Sequence, residues 1–173
     1  MNLIRMLIFM RLVLLACLLT ACQYSPSGDT TVYLVRHAKK DLTDPSASNP
    51  ALTPAGIRRA EHLAQKLQSV RFDAIYSTAY ERTQHTVKPL ATRQQTPVTI
   101  YEGHDYPGIQ QLITINKGKT ILICGHSDNL LPIIRNAGAQ PPLDSIATNE
   151  YDKLFKLLIS PDGTAEVSVE AFN

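Results

Sequence analysis

Thr31-Val32-Tyr33-Leu34-Val35 is a short apolar run of β-formers, and Arg36-His37 follows it without a break. Such a run, bounded by polar residues, reads as a buried strand. Working outward, residues 41–50 (DLTDPSASNP) read as a loop from their Pro, Ser, Asn and Asp content. Thr53-Pro54 then places an N-cap residue before a proline at the first helical position. Ile57, Ala60, Leu63, Ala64 and Leu67 form one apolar stripe at helical spacing. Further strands are expected over 74–76, 98–101 and 120–124, the last (TILIC) strongly buried. Helices are expected over 81–91, 109–115 and 130–137, with Pro132 in the first turn of the last one. Residues 151–159 and 165–172 flank Pro161-Asp162-Gly163, a hairpin turn. Val167, Val169 and Ala171 alternate with Glu166, Ser168 and Glu170, so the final strand has one wet face, as at a sheet edge. Alternating strand and helix predicts an α/β three-layer sandwich. Its central sheet is mostly parallel and closed by a C-terminal antiparallel hairpin.

The chain has 173 residues, 44% hydrophobic and 18% charged, which is ordinary globular composition and enough for one domain. That excludes a disordered tail, a collagen-like rod and a polytopic membrane protein. Residues 1–21 carry Arg5 and Arg11, no acid, and an apolar run that ends in Leu19-Thr20-Ala21-Cys22. This is the pattern of a secretory signal, and the run is short for a membrane span. Leu-Thr-Ala-Cys resembles a bacterial lipobox. The resemblance implies that Cys22 becomes the lipid-modified first residue, with 22–29 as a tether and 30–173 as the domain. Gln23 after the cysteine resembles the outer-membrane sorting pattern of a Gram-negative cell. The expected location is therefore the cell envelope, anchored by lipid and facing the periplasm.

Without residues 1–21 the 17 Lys and Arg fall to 15, against 15 Asp and Glu. The mature domain is formally neutral, so charge offers no ground for a nucleic-acid partner. Cys17 leaves with the signal and Cys22 is acylated, so Cys124 is the remaining thiol; inside TILIC it reads as an inert core residue.

In α/β sheets ligands bind beyond the carboxyl ends of the strands. Arg36-His37 follows the first strand. Ser77-Thr78 follows the second, with Arg82 where the next helix begins. Gly125-His126-Ser127 follows the strand at 120–124. Two His and two Arg thus converge on one end of the sheet. Guanidinium groups grip phosphate oxygens in a planar, bidentate way. An imidazole can attack phosphorus, and a second can stabilise charge on the equatorial oxygens. The helix entered near Glu81 adds its positive end.

Taken in order, Leu34-Val35-Arg36-His37-Ala38, Leu52-Thr53-Pro54-Ala55-Gly56, Tyr76-Ser77-Thr78 to Arg82-Thr83-Gln84, and Gly125-His126-Ser127 resemble the histidine phosphatase superfamily, also called phosphoglycerate mutase-like. The resemblance implies a phosphatase that hydrolyses a phosphomonoester through a phosphohistidine, with no cofactor and no metal. His37 would be the nucleophile and Arg36 and Arg82 the phosphate clamp. His126 would be the second pocket histidine, donating to the phosphate and favouring its protonated form. Ser127 and Asn129 would be supporting residues. Where many members carry an acid two residues after the nucleophile, this chain has Lys39, followed by Lys40. The mutase-like branch places its general acid after the third strand, which points to Glu102, with Asp105 near; the phytase-like branch has Asp directly after its second histidine, where Ser127 stands and Asp128 is one further on.

Three rival readings are weaker. His37, His85, His104 and His126 are potential metal ligands, but no two have close ligand spacing and no acidic cluster accompanies them. Gly125-His126-Ser127 lacks the elbow of a serine hydrolase. An envelope-anchored module that binds phosphorylated ligands without turnover is the non-enzymatic alternative. The loops at the catalytic end are short, which suits an open site and a phosphorylated small molecule, glycan or protein.

Overall fold

The computed structural model describes residues 28–172. The signal-peptide reading, Cys22 and the tether up to residue 27 lie outside the described residues. No helix among the described residues is long and apolar enough to cross a membrane.

The expected α/β sandwich is the observed one. Strands β1 (Thr30–Arg36), β2 (Ala74–Ser77), β3 (Val98–Ile100), β4 (Thr120–Gly125), β5 (Lys153–Ile159) and β6 (Ala165–Ala171) form one sheet in the order β3-β2-β4-β1-β5-β6. β1, β2, β3 and β4 are parallel, whereas β5 pairs antiparallel with β1 and β6 with β5. Alternate residues of the buried strands face opposite layers, as period two requires. Val32, Leu34, Ile121 and Ile123 pack with helices α3 (Tyr106–Ile115) and α4 (Leu130–Asn136). Tyr33, Val35, Leu122 and Cys124 pack with α1 (Pro54–Lys66) and α2 (Glu81–Gln94). Covering both faces is why β1 and β4 read as continuous apolar runs.

Local chemistry sets the helix starts. Thr53 caps α1, its Oγ1 accepting from the Gly56 amide at 3.0 Å. Gly56 also permits a close approach. A Cβ there would lie 2.4 Å from the Lys39 carbonyl oxygen, so only glycine lets α1 come this near to the chain leaving β1. Asn49 of the 41–50 loop accepts from the Glu81 amide at 3.0 Å and so caps α2 from a distance. α2 runs past the expected end at Ala91, through Pro89, to a left-handed Gln95 at φ 55°. α3 begins three residues early because Asp105 caps it, its Oδ1 accepting from the Gly108 amide at 3.1 Å. One member of the predicted α1 stripe is misplaced. Ile57 is 54% exposed, since the first turn of α1 overhangs a groove toward α2 rather than the sheet.

The registers bring the site together. Arg36 pairs with Gly125, and Ser77 pairs with Cys124, so β1, β4 and β2 end side by side. Because β5 runs antiparallel to β1, the segment leading into it arrives at the same end.

Candidate active site

Arg36 is the last residue of β1 and turns toward the lead-in to β5. Its Nη1 donates to the carbonyls of Ala147 and Glu150, both at 2.8 Å. The guanidinium lies over the Tyr151 ring, 4.4 Å from its centroid. Arg82, second residue of α2, lies over Tyr80 in the same manner at 4.0 Å. Burial works against both charges. The Nε of each arginine is buried with no hydrogen-bond partner among the described residues. An unmatched buried donor costs about 1–3 kcal/mol, so both arginines are held ready for acceptors that the described residues do not supply.

His37 follows β1 and is 4% exposed. Its Nδ1 lies 2.8 Å from the Ala38 carbonyl oxygen. A carbonyl only accepts, so Nδ1 carries the hydrogen and Nε2 keeps a free lone pair. Burial pushes the imidazole down to about 3, opposed by the Ala38 hydrogen bond and reinforced by His126, Arg82 and Arg36. The ring is therefore neutral at physiological pH, as a nucleophile must be. Thr86 fixes the next residue: its Oγ1 accepts from the Ala38 amide at 2.8 Å and donates to the Arg82 carbonyl at 2.7 Å. The nucleophile's backbone and the turn that carries Arg82 are thus tied through one hydroxyl.

The His126 ring centroid lies 5.3 Å from that of His37. Its Nε2 is 2.9 Å from Thr78 Oγ1, which is 2.9 Å from Thr83 Oγ1, which donates to the Tyr80 carbonyl at 2.7 Å. The Thr83 hydrogen is committed to a carbonyl, so Thr78 donates to Thr83 and His126 Nε2–H donates to Thr78. Asn129 fixes the backbone beneath. Fully buried, it accepts from the His126 amide at 2.8 Å and donates to the Gly103 carbonyl at 2.9 Å. Gly125 leaves room for it, since a Cβ there would come within 2.5 Å of Asn129 Oδ1.

The expectation for His126 concerns the phosphate-bound site, and the free protein differs from it. Burial, then Arg82, push the His126 pKa down to about 4, with Asp128 opposing. In the free protein it is neutral, not poised in its protonated form, because two guanidiniums share its desolvated pocket.

The expected acid, Glu102, precedes Gly103, which packs against Asn129, Thr78 and His126. Glu102 is exposed, and its carboxylate has no hydrogen bond or ion pair among the described residues. Asp105 is committed to capping α3. Asp128 is the carboxylate whose charge acts on Arg36, Arg82 and His126; His104 Nε2 stands 3.3 Å from it. Ser127 is half-buried and makes no side-chain hydrogen bond among the described residues. Of the four histidines weighed as ligands, only His37 and His126 meet ring to ring, while His85 sits beside Glu81 on α2 at 3.5 Å. Cys124 is buried and its thiol pushed up by burial, in keeping with an inert core residue. The roles of Thr78, Thr83, Thr86, Tyr80 and Tyr151 are legible only in three dimensions.

Partnerless guanidinium donors beside an imidazole ready to attack define a class of protein, the enzymes that act on phosphate groups. Residues 32–104 match the family model of the histidine phosphatase superfamily (branch 1). That stretch carries Arg36, His37 and Arg82, so three of the four converging site residues fall within the matched segment, and the match supports a phosphatase hydrolase. Among solved structures the chain is similar to the protein histidine phosphatase SixA complexed with tungstate, with TM-score 0.68 and 16% identity over 82% of this chain and 96% of that one. Bacillus stearothermophilus YhfR gives TM-score 0.65 and 17% identity, over 82% and 96% of the two chains. Phosphoserine phosphatase from Entamoeba histolytica, in complex with 3-phosphoglyceric acid, gives 0.60 and 18% over 83% and 96%. At these identities the likeness is one of fold. No curated protein matches the sequence.

Proposed function

We propose that the chain hydrolyses phosphomonoesters through a phosphohistidine on His37, in the bacterial cell envelope. The observation that carries the chemistry is the pair of partnerless Nε donors on Arg36 and Arg82, beside a neutral His37 with Nε2 free. In the first step the Nε2 lone pair attacks phosphorus. The bond from phosphorus to the ester oxygen breaks, and that oxygen leaves with the electron pair and a proton from a general acid, Glu102 or Asp128. In the second step water attacks phosphorus, the P–Nε2 bond breaks, its electrons return to the imidazole, and the same carboxylate takes the proton. Arg36 and Arg82 donate to the equatorial oxygens throughout. A phosphate dianion favours the charged form of His126, so the donor role of His126 belongs to the complex rather than to the free enzyme.

Two carboxyls are candidates for the acid's role: Glu102, next to Gly103, which packs on Thr78, His126 and Asn129, and Asp128, whose charge acts on the arginines and His126. The Leu19-Thr20-Ala21-Cys22 context supports a lipid anchor on Cys22, and hence a periplasm-facing enzyme, with outer-membrane sorting supported by Gln23.

Rapid quenching with a labelled aryl phosphate tests the covalent step. The label should be stable in base and lost in acid, as a phosphoramidate is. His37→Ala should accumulate none, whereas His126→Ala should slow turnover and leave the label on His37. Label on His126, or full hydrolysis by His37→Ala, would overturn the assignment.

A further inference from the structure

A cavity of about 350 Å³ adjoins the phosphate site, lined by Lys39, Ala55, Arg59, Thr148, Asn149 and Tyr151. Tyr151 is the shared wall. Its ring lies beneath the Arg36 guanidinium and 6.0 Å from the His37 ring, centroid to centroid. A ligand group that passes this ring leaves the phosphate site and enters the cavity.

Its lining is cationic. No carboxylate is among the lining residues. The nearest acids in sequence are engaged elsewhere: Glu150 Oε2 accepts from the Ala147 amide at 3.0 Å, and Glu150 and Asp152 both face Lys153. Lys39 is exposed and its ammonium has no hydrogen bond or ion pair among the described residues. Arg59 gives one N–H to the Phe172 carbonyl at 3.2 Å, and its other donors have no hydrogen bond or ion pair among the described residues. Ala55 belongs to the first turn of α1, a 13-residue helix with no acid in that turn. Thr53 satisfies the Gly56 amide, while the Ala55 amide has no partner among the described residues. The positive end of the helix therefore opens on the same cavity. Thr148 and Asn149 add neutral donors.

We propose that this cavity is a subsite for a second anionic group, so that the preferred substrates are phosphomonoesters that also carry a carboxylate or a second phosphate. This rests on reading the His37 site as a phosphatase site. A cation pair and a helix end, without a competing carboxylate, select charge rather than one particular anion.

The test uses the full chain and three matched esters: an alkyl phosphate ending in a methyl group, the same chain ending in a carboxylate, and the same chain ending in a second phosphate. Wild type should favour at least one doubly anionic ester by about tenfold or more in kcat/KM, and the two arms show which anion fits. Lys39→Gln and Arg59→Gln should each reduce that preference ratio severalfold, mainly through KM, and Lys39→Glu should abolish it. Should Arg59→Gln loosen the C-terminal end that it holds, the Lys39 variants carry the test alone. A wild type with no preference, or variants that slow all three esters equally, would overturn the subsite. Failure to hydrolyse any ester would overturn the phosphatase reading instead. The subsite is then judged by calorimetry with the corresponding phosphonates, where equal affinity for the methyl and carboxylate forms refutes it.

Discussion

Replacing Arg82 separates two things the residue does. Its guanidinium stacks on Tyr80 at 4.0 Å and holds a buried Nε donor without a partner. Its charge also helps to keep His37 near 3 and His126 near 4. Arg82→Ala removes both. Loss of one preorganised donor to the transferring phosphoryl group is worth about 2–4 kcal/mol, which is a fall of about 30- to 900-fold in kcat/KM at 1.36 kcal/mol per decade. Removing a neighbouring cation favours the protonated imidazole, so both histidine pKa values should rise toward the ordinary 6.5. Arg82→Lys keeps the charge but loses the planar fork. It should leave the histidines low and still lose most of the activity. Steady-state kinetics with an aryl phosphate, together with NMR titration of the imidazoles, reads both quantities. An Arg82→Lys enzyme within about threefold of wild type would refute the clamp and make Arg82 a source of charge only.

Other outcomes follow from the same geometry. Imidazole resonances of the free enzyme should show His37 and His126 neutral down to about pH 5, and added phosphate should raise the titration point of His126; either histidine titrating near 6.5 without ligand would contradict the pocket's desolvation. The unfolded chain takes up a proton at His37 below about 6.5, whereas the folded one does so only near 3. His37 should therefore lower stability as pH falls through that window, by at most about 1.4 kcal/mol per pH unit. In urea melts, the stability of wild type relative to His37→Asn should decline from pH 7 to 4.5, and parallel curves would sink this. Gly56→Ala drives a Cβ against the Lys39 carbonyl and should cost about 1–3 kcal/mol and reduce kcat, measurable by thermal melts and kinetics. Whichever of Asp128→Asn and Glu102→Gln removes the acid should slow alkyl phosphates far more than nitrophenyl phosphate, since only a poor leaving group needs the proton; equal slowing of the two esters in both variants would remove both carboxyls from the acid's role. Fatty-acid labelling should tag the wild type and not Cys22→Ala.

Much of this protein is written in local order along the chain. Arg36 and His37 had to follow β1, and His126 had to follow β4, because short apolar runs long enough only for strands precede them. The cap at Thr53 and the wet face of β6 were equally local, since a hydroxyl one residue before a helix and a period of two are properties of neighbours in sequence. The ring that supports Arg36, by contrast, comes from Tyr151, more than a hundred residues away. It arrives there because β5 runs antiparallel to β1, a pairing that no spacing in the sequence announces. That the charge of Asp128 acts on the arginines was also beyond the sequence. Glu102 and Asp128 both lie just after strands, and only the path of the following turns decides which carboxylate feels the arginines. The protonation of His126 escapes the sequence for the same reason. Its residue type allows either state, and the depth of burial beside two guanidiniums, a product of packing alone, selects the neutral one.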